Sequence, residues 1–117
     1  MCEGLKRQEI IRRQRDIGVV MSAGKRVSSA FFTLLYKGRD ETFPSQRIAF
    51  LLNSKIKGAV VRNRLKRRLR EIFRRNRRWF PLGYDYIIQV RTGAEKLKFD
   101  ELKEEIKTLA GMIKDVN

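Results

Sequence analysis

The sequence predicts an α+β fold, a single-domain α/β sandwich with a central, mostly antiparallel sheet of about four strands and about three helices. Three observations predict it. Apolar residues recur at helical spacing in Val61, Leu65, Leu69, Ile72 and Phe73, and again in Phe99, Leu102, Ile106, Leu109 and Ile113. Short apolar or aromatic runs at 31–36, 47–52 and 84–90 read as strands bounded by turn-prone residues. A length of 117 residues with 42% hydrophobic content supplies one core but not two. The domain is therefore expected to span 1–117, with 1–5 flexible.

Residues 5–23 predict a basic amphipathic helix in parts, with Ile10, Ile17, Val20 and Met21 lying between Lys6, Arg7, Arg12, Arg13 and Arg15. Gly18 weakens its continuity and Gly24 stops it. That helix either caps the domain or touches a ligand. The pattern turns to strand near Val27 and continues through 31–36, and the segment 37–45 closes the run. The run 47–52 follows Pro44 and Ser45 and is expected to pair with the first as an antiparallel neighbour. If Phe32, Leu34 and Tyr36 share one face, Phe31, Thr33 and Leu35 share the other. Both faces are apolar, so either two layers cover the sheet or one face is a binding surface.

Gly58 opens the second helix, expected to end near Asn76. Residues 77–83 form a loop, because Pro81 cannot continue a helix. The stretch 84–90 is the next strand. A final helix begins near Lys98, with Asp100, Glu101, Glu104 and Glu105 in its first turns, where carboxylates oppose the positive end of the helix dipole. Its charges nearly cancel, which marks it as scaffold.

Charge bounds the function. Lys and Arg number 28 against 13 Asp and Glu, a net charge of +15. Such an excess calls for a polyanionic partner, nucleic acid or an anionic membrane surface. The chain has no long uncharged apolar run, so nucleic acid is favoured and no membrane association is expected. Cys2 is the only cysteine and histidine is absent, so no intramolecular disulfide, cysteine zinc site or other metal site in the protein is expected. Residues 6–15 are charged and carry no apolar signal core, which predicts a cytoplasmic protein. No protein partner is predicted.

Most of the net positive charge lies in 55–78, where Glu71 is the one acid. At about 100° per residue the helix puts Val61, Leu65, Leu69 and Ile72 on a core arc with Phe73 at its margin. Asn63, Arg67, Arg70 and Arg74 fall opposite. Arg62 and Lys66 line one flank, and Arg64, Arg68 and Arg75 the other. A solubilising face would interleave Glu with Lys. This one prefers arginine, whose planar fork binds phosphate oxygens in pairs and stacks on bases. The candidate RNA-binding set is Lys55, Arg62, Asn63, Arg64, Lys66, Arg67, Arg68, Arg70 and Arg74. Charge alone does not choose the nucleic acid; the strands argue against a helical DNA reader and for RNA.

Residues 59–75, AVVRNRLKRRLREIFRR, resemble the protein subunit of bacterial ribonuclease P. Ala59, Val60, Arg62, Asn63, Arg64, Lys66 and Arg67 match its Ala-Val-x-Arg-Asn-Arg-x-Lys-Arg helix, and Arg70, Glu71 and Phe73 follow in kind. The resemblance extends to 16–24, 47–55 and 85–91. The chain differs from the family's Val-Ser-Lys-Lys at Leu52, Asn53, Ser54 and Lys55, and from its Gly-then-polar order at Lys57-Gly58. The resemblance implies a left-handed βαβ crossover, in a fold shared with the second domain of a ribosomal small-subunit protein. It implies an RNA-binding subunit of an endoribonuclease, whose partners are ribonuclease P RNA and the 5′ leader of precursor tRNA. It further implies that the catalytic centre lies in the RNA with Mg²⁺ bound mainly there, so no catalytic residue is expected in the protein. The leader is expected between the sheet and the first helix, at Ile17, Met21, Phe31, Thr33 and Leu35.

Two rivals remain, a structural RNA binder such as a ribosomal protein and a self-sufficient nuclease. The Arg62-Asn63-Arg64 helix in its sheet context disfavours the first. Scattered acids and the lack of histidine disfavour the second.

Overall fold

The computed structural model describes residues 10–11, 14–38 and 46–113. In order it contains α1 (Gln14–Ala23), β1 (Lys25–Ser28), β2 (Phe32–Gly38), β3 (Gln46–Leu52), α2 (Ala59–Arg75), β4 (Tyr84–Val90) and α3 (Phe99–Gly111). Two 3₁₀ turns, Arg77–Trp79 and Ala94–Lys96, follow α2 and β4.

The strands form one sheet in the order β1-β2-β4-β3. β2 is antiparallel to both β1 and β4, whereas β3 runs parallel to β4. This corrects the expected pairing of the first two apolar runs: β4 inserts between β2 and β3. Asp85, Tyr86, Ile87 and Ile88 are all buried, as suits a central strand covered on both faces. The parallel pair needs a long crossover, and α2 supplies it.

The expected first helix is shorter than predicted. Ile10 instead forms a parallel bridge with Ile48, and the Ile11 amide donates to the Ile48 carbonyl at 3.0 Å. The remaining expectations for residues 1–9 and 12–13 lie outside the described residues. α1 ends at a close approach: a Cβ on Gly24 would stand 2.5 Å from the Val20 carbonyl oxygen and 2.9 Å from that of Tyr36. Only glycine lets the chain turn there into β1.

Alternation along the strands builds two cores. Phe32, Leu34, Tyr36, Ile48, Tyr86, Ile88 and Val90 meet Leu65, Leu69, Ile72 and Phe73 of α2, and Leu102, Ile106 and Leu109 of α3. Behind the sheet, Leu35, Ala49 and Ile87 pack with Ile11 and with Val20 of α1. One helix about 10 Å wide cannot cover a face whose seven-residue strands run about 23 Å. The second face is therefore covered in part and open in part. Gln46 fixes the far end, its Nε2 donating to the carbonyls of Arg77 and Phe80 at 2.6 Å each.

Candidate nucleic-acid interface

The arginine helix begins with a backbone constraint. Gly58, its N-cap, has φ of 93°, in the left-handed region that favours glycine. The order Lys57-Gly58 thus sets glycine at the residue that needs it. Before it, the Asn53 amide bonds the Val90 carbonyl at 2.9 Å and the Asn53 side chain accepts from the Lys55 amide at 2.8 Å. Ile56 is buried in the main core. Arg62 Nη1 donates to the carbonyls of Asn53 and Ile56 at 3.0 and 2.9 Å, so this side chain ties the loop 53–58 to the helix.

The projected faces largely match the packing. Leu65, Leu69, Ile72 and Phe73 are buried and Val61 is half-buried, so Phe73 belongs to the core and not to its margin. Lys55, Asn63, Arg64, Arg67 and Arg70 are exposed. Lys66 and Arg68 are half-buried, as flanking residues that lay their stems along the protein should be.

Arg74 departs from the projected ridge. It is half-buried and grips Glu71 at two points, Nε to Oε1 at 3.0 Å and Nη2 to Oε2 at 2.7 Å. Arg75 Nε also reaches Glu71 Oε2. The Arg74 hydrogen bonds, with the positive charge of both arginines, hold the Glu71 carboxyl below the usual glutamate range. The helix therefore carries its unneutralised arginines toward its N-terminal and middle turns.

On the partly open sheet face lies a groove of about 400 Å³, lined by Arg26, Thr33, Leu51, Leu52, Asn53, Gln89, Val90 and Arg91. Strand register assembles its floor: Gln89 is opposite Thr33 on one side and Leu51 on the other. Arg91 Nη2 donates to Thr33 Oγ1 at 2.8 Å and its Nη1 to the Ser29 carbonyl at 3.2 Å. Two guanidinium groups, an amide and a hydroxyl thus converge over a partly apolar floor. Such a set can receive phosphates and the edges of unpaired bases. Asn53 lines this groove and also accepts from Arg62, so groove and arginine helix meet at one residue.

The five residues expected at the leader are dispersed. Thr33 lines the groove. Met21 is 38% exposed on α1, and Ile17 is half-buried against the second core. Leu35 is corrected: at 1% exposure it lies in the second core beneath α1 and presents no surface to a ligand. Phe31 is half-buried, and its contacts differ from those that strand alternation predicts. It precedes β2, so the strand alternation does not govern it, and it packs against the main core beside Gly93.

Arg26, Leu51, Asn53, Gln89 and Arg91 line the groove and were not singled out from the sequence. The signal was the alternation Asp85, Ile87, Gln89, which shares a face with the Arg91 that follows it. It could be used only once β4 was known to lie between β2 and β3.

Among the described residues no group of three or more Asp, Glu, Cys or His side chains is placed to hold a metal ion, and no helix is long and apolar enough to cross a membrane. The chain matches the family model for ribonuclease P over residues 5–114. It is similar to the ribonuclease P protein component of Petrotoga mobilis, 35% identical over 105 residues that cover 86% of this chain and 87% of the relative. The ribonuclease P protein component of Thermotoga maritima is 31% identical over 113 residues, covering 93% and 95%. The solved structure of the RNase P protein from Thermotoga maritima superposes with a TM-score of 0.81 at 28% identity, over 92% of this chain and 99% of that one. The Staphylococcus aureus RNase P protein shares the fold, with a TM-score of 0.80 at 20% identity over 89% and 94%.

Proposed function

The chain belongs to the ribonuclease P protein family, and from that premise we propose how it serves as the RNA-binding subunit of this tRNA-processing endoribonuclease: α2 grips the catalytic RNA while the groove behind the sheet receives the 5′ leader of precursor tRNA. The observation that carries this reading is the junction at Asn53. There the groove meets the loop and the arginine helix through the two hydrogen bonds of Arg62. One rigid body can therefore engage both RNAs.

The exposed Arg64, Arg67 and Arg70 supply charge to phosphates with little acid nearby. Bringing the RNA subunit and the leader together crowds phosphate groups, and fixed guanidinium groups offset that repulsion. Lys55, Lys66 and Arg68 extend the positive surface, Asn63 adds an amide beside it, and Arg62 acts mainly by holding the loop. In this reading Arg74 tunes the C-terminal end of the surface through Glu71.

Two of the less exposed carboxylates among the described residues are already engaged by arginines. Asp85 is paired with Arg47, and Glu71 with Arg74 and Arg75. The reading places Mg²⁺ and the reacting phosphate on the RNA subunit, assigns no catalytic residue to the protein, and sets the holoenzyme in the cytoplasm. Arg26, Gln89, Arg91 and Asn53, over the buried Thr33, replace Leu35 as the leader-contacting surface.

Reconstitution tests the reading. Protein added to a bacterial ribonuclease P RNA at low Mg²⁺ is expected to stimulate formation of the mature 5′ end of precursor tRNA, with both components required. Cleavage by protein alone would establish a nuclease instead. An absence of effect with the cognate RNA would leave a structural RNA binder.

A further inference from the structure

We propose that a second cavity, at the opposite end of the sheet, holds one unpaired nucleotide of the precursor leader upstream of the stretch in the groove; this rests on the leader reading above. The cavity has a volume of about 300 Å³ and is lined by Ala23, Lys25, Tyr36, Lys37, Gly38 and Tyr84. Its central feature is the half-exposed ring of Tyr84, braced by Tyr36 at 5.9 Å and Tyr86 at 6.1 Å between ring centroids.

Gly38 stands opposite Tyr84 in the β2–β4 register. A Cβ there would lie 3.7 Å from Tyr84 Cε2, so any longer side chain would spread over the ring that glycine leaves open. Two ammonium groups flank it. Lys25 is exposed, and Lys37 is half-buried with its Nζ 3.4 Å from the Gly38 carbonyl. An aromatic platform in a mostly apolar cavity, with lysines at its rim, matches a nucleobase and its phosphate.

Geometry favours the leader over the catalytic RNA. Lys25, opposite Tyr36, lines this cavity and Arg26, opposite Leu35, lines the groove, so consecutive residues of the edge strand β1 reach the two sites from opposite faces of the sheet. β1 ends the sheet, and α1 stops at Ala23, which leaves a path around the helix end along that edge. From Thr33 to Gly38 along β2 is about 17 Å, and rounding the β1 edge from one face to the other lengthens the path, a span that several extended nucleotides cross. The cavity admits a single base and not a duplex.

The test uses holoenzyme reconstituted from the RNA subunit and full-length protein. Equilibrium binding is measured for mature tRNA, for a precursor whose short leader reaches only the groove, and for one with a long leader. Tyr84→Leu and the Lys25→Gln/Lys37→Gln double variant are each expected to weaken long-leader binding about five- to tenfold. Short-leader binding and affinity for the RNA subunit should stay unchanged, and Tyr84→Phe should match wild type. The lysine double variant alters only the cavity rim, so it decides the matter even if Tyr84→Leu misfolds. Equal losses for short and long leaders, a loss confined to RNA-subunit affinity, or no loss would each overturn the proposal. A wild-type holoenzyme that bound mature tRNA and short-leader precursor equally would instead overturn the groove reading on which it rests.

Discussion

Arg47 and Asp85 face each other across the parallel β3–β4 pair and join at two points, Nε to Oδ1 at 2.9 Å and Nη2 to Oδ2 at 2.7 Å. Arg47 Nη1 also lies 3.7 Å from Asp16 in the first turn of α1. The pair thus links α1 to the sheet. Asp85 is only 6% exposed, so Arg47→Ala removes two charge-assisted hydrogen bonds to a buried carboxylate and should cost about 2 kcal/mol in chemical denaturation. Asp16→Asn removes a longer, more exposed contact and should cost less than about 1 kcal/mol.

Gly58→Ala isolates a backbone effect. A methyl group there would find Val61 Cγ2 at an ordinary 3.7 Å, so only the positive φ resists it. A loss of about 1 kcal/mol is expected from thermal or denaturant unfolding. A much larger loss would mean that the loop before α2 had rearranged.

Glu71→Gln should strengthen RNA binding. The substitution removes the charge that Arg74 and Arg75 share, and the plot of log affinity against log salt should steepen by about one unit or less. The folded-state carboxyl titrates below its ordinary value, so its stabilising contribution is present above that value. It is lost as pH falls through the lowered one. Wild type should therefore lose helix stability in acid over a range where Glu71→Gln shows no such change.

Replacing Arg64, Arg67 and Arg68 together with Ala should lower the salt slope for the RNA subunit by about 2 and leave the fold intact, because none of the three is buried. Unchanged affinity in a salt titration would remove α2 from the interface. Circular dichroism of the variant separates lost contact from lost structure.

The helices and strands were largely legible from sequence because their periodicities are local. Leu65, Leu69 and Ile72 announce the buried arc of α2, and the strand 84–90 is found where its residues predict it. Sheet order was not legible, since antiparallel and parallel neighbours draw on the same apolar residues. Leu35 was placed at the leader by resemblance alone, and its burial depends on α1 and on Ile87 beside it. The unread sheet order hid Gln89 and Arg91, which join Thr33 only after β4 enters the sheet. Arg74 was misread for a different reason. A helical projection gives direction but does not weigh an acid three residues away.

The position of β4 also bears on how the chain is made. Both neighbours of this strand precede it, and the arginine helix lies between β3 and β4 in sequence. A ribosome must therefore expose the whole basic segment before the strand that joins β2 to β3 has been synthesised. Until Val90 emerges, that segment is a charged amphipathic chain with its apolar side unclosed, among the abundant RNA of the translation machinery. The same topology that later aligns groove and helix leaves the apolar side of the nascent arginine helix without its full sheet until β4 is made.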